Sequence, residues 1–377
     1  MKILFVIDQF NSGNNGTTIS AQRFAKGLEE LGHDVYIISA GKGDYPNQYL
    51  VGEIPLPIGV SHIVHSQGMT FAKPDKKTLK EAITSVDVVH FYTPFFLSST
   101  GLKIAIENNI PHTAAFHVQP ENITYTIGLG KSEKVNTDIY KYFLNHFYKD
   151  FNHIHCPSKF IANELKEHGY TSKLYVISNG ISNTFKYIKL EKPEKLKDKI
   201  VITMVGRLSN EKRQDLLIDA IYKSKYSDKI QLVLAGNGPK KSKYEKLGSK
   251  LKNKPIISFF SQQDLIKLLG YTDLYVHSSD AEIEAISCME ACACGRVPII
   301  ANSKLSATKQ FALTENSLFE PGNSDDLTKK IDFWLDNPKL KSDMELKYSE
   351  SADNYRLSDS IKKMEGMLED AIREYRR

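Results

Sequence analysis

The sequence predicts an α/β protein of two domains, each built on a parallel β-sheet that helices cover on both faces. Three observations lead to this prediction. Short apolar runs alternate with amphipathic helical segments along most of the chain. The alternation is interrupted at residues 186–199, where almost every side chain is polar and a linker is expected. The length of 377 residues suits two domains better than one.

The first half of the chain has the pattern of a Rossmann-like domain. Its predicted strands are residues 2–7, 34–38, 86–90, 112–117, 153–156 and 174–177. Its predicted helices are residues 18–31, 96–108, 138–150 and 158–168.

The same pattern restarts after the linker and predicts a second Rossmann-like domain. The predicted strands are residues 200–205, 231–235, 256–259, 274–277 and 297–301. The predicted helices are residues 215–222, 240–252, 263–269 and 285–294, followed by three terminal helices. Ligands bind at the carboxyl ends of such strands, so we expect a central cleft that both sheets face.

Composition narrows the class of protein. Hydrophobic residues make up 41% and charged residues 25%, as in ordinary soluble proteins. No apolar run approaches the roughly 20 residues of a membrane-spanning helix, and residues 1–10 are interpreted as a strand rather than a signal peptide. Cys288, Cys292 and Cys294 alternate with apolar residues, so we interpret them as buried thiols rather than metal ligands. These features predict a cytoplasmic protein, and neither a metal ion nor a cofactor is expected.

The positive charge is concentrated in the second half of the chain. Residues 1–185 hold as many basic as acidic side chains, so the surplus of +5 lies in residues 186–377. The stretch 239–254, PKKSKYEKLGSKLKNK, is rich in lysine. It is either a solvated helix face or a peripheral contact with the anionic inner face of a membrane. No nucleic-acid partner is expected.

Two loops have the composition of anion sites. Residues 11–17, NSGNNGT, contain Gly13 and Gly16 and precede a helix N-terminus, although the pattern is not that of a dinucleotide-binding fingerprint. In VGRLSNEK, Gly206 allows a tight turn, and Arg207 and Lys212 could neutralise a diphosphate. The alternative for each cation is ordinary surface charge.

Four further polar residues are candidates for ligand contacts. Asn237, in AGNGP, either closes a turn or contacts a ligand. Glu282 and Glu290 lie eight positions apart, and a ribose diol could satisfy the second carboxylate inside its apolar helix. A salt bridge between Glu290 and Arg296 is the competing interpretation. His117, in AAFHVQP, ends a predicted strand and is either structural or functional.

These segments together resemble the glycosyltransferase family 4 group, which has the GT-B fold. The resemblance rests, in chain order, on NSGNNGT, LGHDVYIIS, DVVHFYTP, AFHVQP, CPSKFIANEL with VISNGISNTF, VGRLSNEK, AGNGP and EIEAISCMEACACGRVPII. The last segment is the most specific, since it matches the family's two glutamates separated by seven residues and followed by an Ala-Cys-Gly turn.

The resemblance implies a retaining transferase that moves a hexose from a nucleotide-sugar, usually UDP-linked, to an acceptor hydroxyl. It implies an acceptor-binding domain of residues 1–183 plus 357–377 and a donor-binding domain of residues 184–356. Carried over position by position, Gly16, Gly206, Arg207, Lys212, Asn237 and Glu290 would contact the nucleotide. Glu282 and His117 would lie near the donor sugar, together with Glu284, Ala285 and Ile286. His117, Arg207, Lys212 and Glu282 would be the catalytic residues.

One departure from the family pattern concerns the sugar half of this pocket. The family usually has a Phe-Gly-like pair two residues after the first glutamate, where this chain has Glu284 and Ala285. In the family, the backbone amides of that pair approach the phosphate and the sugar. The charge of Glu284 beside a diphosphate leaves the identity of the donor open.

No DxD-type metal motif follows a cleft-facing strand, and Asp325 and Asp326 are interpreted as a helix N-cap.

The sequence leaves the acceptor open. Residues 91–96 and 125–129 are apolar and could hold a lipid acceptor, stack on a sugar or belong to the core. A glycolipid or a surface-polysaccharide precursor fits as product. The alternatives are a GT-B epimerase and a non-catalytic module that binds sugar nucleotides.

Overall fold

The computed structural model describes residues 1–11, 16–41, 43–57, 64 and 69–375. The chain divides into two compact units. Unit 1 comprises Met1–Thr124, Lys131–Gly180 and Leu357–Arg377, and unit 2 comprises Tyr125–Gly130 and Ile181–Arg356. That residues 1–183 plus 357–377 bind the acceptor stays a prediction. That residues 184–356 bind the donor stays a prediction as well.

Unit 1 is built on a parallel sheet, and helices lie between most of its consecutive strands. The strands are β1 (Lys2–Gln9), β2 (Asp34–Ala40), β3 (Gln48–Val51), β4 (Val88–Phe91), β5 (His112–Ala115), β6 (His153–Cys156) and β7 (Lys173–Val176). The helices are α1 (Gly16–Glu30), α2 (Lys76–Thr84), α3 (Phe96–Glu107), α4 (Pro120–Thr126), α5 (Glu133–His146) and α6 (Lys159–Glu167). The strand order across the described sheet is β3-β2-β1-β4-β5-β6-β7.

The central strand of unit 1 shows why the sequence adopts this fold. Six consecutive residues of β1 are buried, as expected where helices cover both faces of a parallel sheet. Serine or aspartate begins several of the covering helices: the Asp75 side chain accepts from Thr78 N at 2.8 Å, and Ser158 Oγ accepts from Ile161 N at 3.2 Å.

Unit 2 repeats the architecture. Its strands are β8 (Ile200–Val205), β9 (Ile230–Ala235), β10 (Ile256–Ser258), β11 (Leu274–His277), β12 (Ala281–Glu282), β13 (Pro298–Ala301), β14 (Leu305–Ser306) and β15 (Leu318–Phe319). Its helices are α7 (Gln214–Lys223), α8 (Lys241–Gly248), α9 (Gln262–Tyr271), α10 (Ile286–Ala293), α11 (Ser324–Asp336) and α12 (Pro338–Ser351). The main sheet runs β10-β9-β8-β11-β13-β15, and β12 pairs with β14. The predicted α/β fold with parallel sheets is confirmed.

The last helix returns to unit 1. This helix, α13 (Leu357–Tyr375), packs on α1 so closely that a Cβ at Gly27 would stand 2.0 Å from Ile361 Cδ1. The ring of His33 lies 2.7 Å from the carboxylate of Glu365, which also joins the helix to this unit. A side chain at position 27 would therefore force Ile361 to move.

Two local expectations differ from the structure. The predicted linker follows the surface of unit 2, because Leu190 N donates to Gly270 O at 2.8 Å and Lys192 Nζ lies 2.6 Å from Asp273 Oδ2. The predicted N-cap at Asp325 and Asp326 is wrong. The cap is Asn323, whose side chain accepts from Asp326 N at 3.0 Å, and both aspartates occupy the first turn, where the helix dipole favours them.

Candidate active site

Two strand ends of unit 2 meet backbone to backbone, and glycines make the contact possible. Gly206 follows β8 with φ +151°, and a Cβ at Gly236, directly after β9, would stand 2.0 Å from Gly206 O. Asn237 closes the second turn: its Oδ1 accepts from Gly238 N at 2.9 Å and its backbone oxygen accepts from Leu208 N at 3.0 Å. Its predicted contact with a nucleotide stays a prediction.

The loop after Gly206 carries the first predicted cation, Arg207. A guanidinium nitrogen of Arg207 lies 2.9 Å from Glu211 Oε1, and Ser209 Oγ donates to the same oxygen at 2.5 Å. Burial opposes ionisation of Glu211, but the charges of Arg207 and Lys212 hold its pKa below the usual range. Arg207 is therefore held by a buried carboxylate that the sequence did not single out.

The second predicted cation, Lys212, forms an ion pair with the predicted carboxylate Glu282. The lysine stem runs past Gly206, with Cδ and Cε 3.9 Å from where a Cβ would stand. Glu282 also accepts a hydrogen bond from His277, whose Nε2 lies 2.9 Å from Glu282 Oε1. The structure thus brings together Gly206, Lys212 and Glu282 at the carboxyl ends of β8 and β11.

The charge state of Glu282 follows from these contacts. Burial alone would raise its pKa, because the ionised form loses hydration. The charge of Lys212 and the hydrogen bond from His277 outweigh burial and hold the pKa of Glu282 well below its usual range. Glu282 is therefore ionised at neutral pH.

The loop that carries Glu282 is tied to the loop that carries Lys212. Ser278 Oγ lies 3.0 Å from the backbone oxygens of both Lys212 and Arg213. Asp280 Oδ2 lies 3.1 Å from an Arg213 guanidinium nitrogen and accepts from Tyr125 OH at 3.1 Å. The hydrogen bond from Tyr125 agrees with the assignment of the segment Tyr125–Gly130 to unit 2.

The departure from the family pattern falls on an unusual backbone conformation. Ala285 has φ +68° and ψ +70°, the left-handed region that favours glycine, and α10 begins at the next residue, Ile286. Glu284 is buried. The glycine that the family has at this position would adopt the positive φ without strain. That Glu284, Ala285 and Ile286 contact a sugar stays a prediction.

Glu290 lies inside α10 and is buried together with its neighbours Met289 and Ala291. The competing interpretation paired Glu290 with Arg296. The Arg296 guanidinium donates to backbone oxygens of Cys294, Thr272 and Ile188 at 2.8–3.2 Å. These bonds account for the burial of Arg296, and the role of Glu290 at a ribose stays a prediction.

Two predicted site residues belong to unit 1. Gly16 opens α1, whereas Gly13 and the rest of 12–15 lie outside the described residues. His117 is buried two residues after β5 and stacks on Tyr92, with ring centroids 5.6 Å apart. Burial is the main cause that lowers the pKa of His117 well below its usual value, and repulsion from His155 and His90 adds to it. The ring of His117 is therefore neutral at physiological pH. That Gly16 and His117 meet the donor stays a prediction.

Metal and membrane signals were also sought. Within the described parts of the chain, no cluster of three or more His, Cys, Asp or Glu side chains is arranged to hold a metal ion. The four cysteines are buried free thiols. Across the same residues, no helix combines the length and the apolar character that crossing a bilayer requires.

Two family models divide the chain between them. The model described as Glycosyltransferase Family 4 matches residues 14–185, and the model described as Glycosyl transferases group 1 matches residues 186–352. Together with the two parallel-sheet units and the Lys212–Glu282 pair, these matches define the class. The chain belongs to the group 1, family 4 type of glycosyltransferases with the GT-B fold, and it is a transferase enzyme.

Individual relatives are more distant. The chain is 25% identical over 321 residues to the alpha-monoglucosyldiacylglycerol synthase of Streptococcus pneumoniae, covering 80% of this chain and 71% of that protein. It is 25% identical over 309 residues to a GDP-mannose-dependent alpha-mannosyltransferase of Corynebacterium glutamicum, covering 80% and 72%. Among solved structures, Anabaena HepE in complex with UDP and glucose matches with a TM-score of 0.74 and 16% identity, covering 98% of this chain and 100% of that one.

Proposed function

We propose that this glycosyltransferase moves a hexose from a UDP-linked donor to the hydroxyl of a lipid acceptor, with retention of anomeric configuration. The observation that carries the proposal is the Lys212–Glu282 pair beside Gly206, where two strands end. The relative from Streptococcus pneumoniae is named for glucosylated diacylglycerol, which supports a glycolipid product. The Corynebacterium relative is named for GDP-mannose, so the donor has to be tested directly.

The ion pair leaves Lys212 able to meet a diphosphate. An ammonium group has three N–H bonds, and among the described residues its hydrogen-bond partner is Glu282. The other N–H bonds remain for phosphate oxygens. Because Glu282 already balances the charge, Lys212 is held in place before the donor arrives and needs little reorganisation when charge develops on the leaving group.

The proposed route needs neither a metal ion nor an enzymic nucleophile. The bond between the sugar C1 and the UDP oxygen breaks as negative charge builds on the diphosphate, which Arg207 and Lys212 stabilise. The acceptor oxygen then bonds to C1 on the same face, and its proton passes to the departing phosphate oxygen. Glu290 holds the ribose hydroxyls, Glu282 holds a sugar hydroxyl, and the neutral ring of His117 contributes a hydrogen bond on the acceptor side.

The lysine-rich stretch gives limited support for a membrane contact. In the loop after α8, Lys250 Nζ lies 3.1 Å from Asp219 and Lys252 Nζ lies 2.8 Å from Asp228. These aspartates already balance part of the positive charge. We therefore propose weak, salt-sensitive binding to anionic lipid, which co-sedimentation with phosphatidylglycerol liposomes at low and high salt would measure.

A donor and acceptor screen tests the function. UDP or GDP release is measured with UDP-glucose, UDP-galactose and GDP-mannose, each with diacylglycerol, a sterol, a simple glycoside or no acceptor. We expect release with a UDP-hexose that depends on a lipid acceptor. Release that is equally fast without acceptor, or conversion of one UDP-hexose into another, would instead identify a hydrolase or an epimerase.

A pair of variants ties the activity to this site. Lys212→Ala should lower kcat by roughly 100-fold or more, the usual effect of removing one group that stabilises transition-state charge. Lys229→Ala, which removes an exposed lysine next to β9, is the matched control and should act like the wild type. Turnover of Lys212→Ala within about twofold of the control would exclude the proposed role of the lysine.

A further inference from the structure

Glu282 uses its two carboxylate oxygens unequally. Oε1 accepts from both Lys212 Nζ and His277 Nε2. Among the residues that the structure describes, no hydrogen bond reaches Oε2, and the side chain keeps 10% of its surface exposed. Because two donors already occupy Oε1, Oε2 is the atom that remains for a hydroxyl of a ligand.

His277 is held by a chain of hydrogen bonds that begins at the backbone of β8. Ser287 Oγ donates to Val205 O at 3.2 Å, and Tyr275 OH lies 3.2 Å from Ser287 Oγ. The same hydroxyl lies 3.3 Å from His277 Nδ1. With Nε2 donating to Glu282, Nδ1 is an acceptor, and the single proton of the Tyr275 hydroxyl is donated either to Nδ1 or to Ser287 Oγ. Donation to Nδ1 gives the ring of His277 a partner on the edge opposite Glu282.

Strand geometry explains why these side chains meet. Tyr275 and His277 are two residues apart in β11, so their side chains point to the same face of the sheet. Both are fully buried, with exposures of 0% and 1%. Ser279 Oγ lies 3.1 Å from His277 Nε2, at the point where the chain turns back towards Glu282.

Lys212 alone would hold Glu282 less firmly. The terminal torsion of a glutamate has a broad, twofold energy profile, and a lysine ammonium can follow a rotating carboxylate because its stem is flexible. An imidazole locked inside a strand cannot follow it. The second contact to Oε1 therefore selects one rotamer of the carboxylate.

We propose that His277 is a positioning residue that fixes the Glu282 carboxylate so that Oε2 faces a hydroxyl group of the donor sugar. The inference rests on the proposed function, since it takes the ligand to be a nucleotide-sugar. It adds a residue that lies outside the two-glutamate motif. It also predicts that His277 affects recognition of the sugar and leaves recognition of the nucleotide unchanged.

Matched variants separate positioning from simple loss of packing. His277→Leu removes the donor to Oε1, whereas His277→Gln keeps an amide N–H near the position of Nε2. We expect His277→Leu to lower kcat/KM for the UDP-sugar by roughly 10- to 100-fold, as loss of a hydrogen bond to a charged group does. The Kd for UDP should stay within about twofold, and His277→Gln should restore most of the activity.

A double-mutant cycle with Glu282→Gln tests the route of the effect. If His277 acts through Glu282, adding His277→Leu to Glu282→Gln should lower kcat/KM by less than about threefold further. Full additivity, or equal weakening of UDP and UDP-sugar binding, would overturn the proposal. Should His277→Leu fail to fold, Tyr275→Phe removes the hydroxyl behind the ring at constant shape, and it should lower kcat/KM while leaving the Kd for UDP unchanged.

A crystal structure of ligand-free His277→Leu separates this inference from the proposed function. We expect the Glu282 carboxylate to rotate, so that Lys212 contacts either oxygen. An unchanged carboxylate would overturn the inference, whatever donor the enzyme uses. Failure of the wild type to transfer sugar from any UDP-hexose would refute the proposed donor and leave this structural test intact.

Discussion

Replacing Ala285 with glycine tests the strain that the structure places at the start of α10. Ala285 has φ +68°, and an L-residue in the left-handed region costs about 1–2 kcal/mol relative to glycine. Glycine gives back about 0.4–1 kcal/mol, because it is more flexible in the unfolded chain. It also loses the contacts of a half-buried methyl group, about 0.4 kcal/mol. The expected net effect of Ala285→Gly is therefore small, from about 0.4 kcal/mol against folding to about 1.2 kcal/mol in favour of it.

The matched control is Ala291→Gly, in the interior of the same helix. Ala291 is fully buried. Glycine there costs about 1 kcal/mol in helix propensity and about 0.8 kcal/mol for the lost methyl group. The two variants, which have identical composition, should therefore differ by about 2 kcal/mol, or roughly 4–8 °C in Tm for a domain of this size.

Thermal unfolding followed by circular dichroism, with urea unfolding as a second measure, gives the comparison. Equal destabilisation by Ala285→Gly and Ala291→Gly would refute the left-handed conformation of Ala285. Destabilisation by Ala285→Gly alone would show that the methyl group is required at this position.

Two further predictions concern a buried acid in unit 1 and the second glutamate of the motif. Burial raises the pKa of Asp8 to about 6, against hydrogen bonds from Thr93 and Ala72. Protonated Asp8 therefore contributes about 3 kcal/mol to the free energy of unfolding below about pH 4. This contribution is lost as the pH rises through about 6. Urea unfolding of Asp8→Asn between pH 4 and 7.5 should lack this loss, and an unchanged pH profile would contradict the assignment. Glu290→Gln should weaken UDP binding by roughly tenfold in calorimetry, since it removes an ionised acceptor for the ribose hydroxyls, whereas the surface control Lys229→Ala should leave the Kd for UDP within about twofold.

Most strands of both sheets, though not β3 or β15, could be predicted because parallel strands with two covered faces have continuous apolar sequences. β1 and β8 show this pattern clearly. β3 was missed because its sequence QYLV has one fully buried residue and gives little apolar signal. α4, with the sequence PENITYT, was missed because seven residues are too few to establish a helical period.

The contacts within the candidate site depend on loop conformations that periodicity does not encode. The motif resemblance identified Lys212 and Glu282 but not their ion pair, which requires Ser278 to join the two loops. Glu211 lies between Arg207 and Lys212 in the sequence. An acidic residue between two cations could have indicated its ion pair with Arg207. His277 gave no signal, since a histidine that ends a strand is usually structural.

The pairing of Lys212 with Glu282 changes how the two halves of a donor are recognised under the proposed function. One carboxylate oxygen holds the lysine that meets the diphosphate, and the other is turned towards the sugar. A sugar that moves the carboxylate would also draw Lys212 away from the leaving phosphate, because the ammonium is bonded to the same carboxylate and can follow it. Phosphate stabilisation and sugar selection are then coupled, so a poorly fitting hexose should lower kcat as well as raise KM. Comparison of two UDP-hexoses that differ at one hydroxyl would measure this coupling, and a difference confined to KM would exclude it.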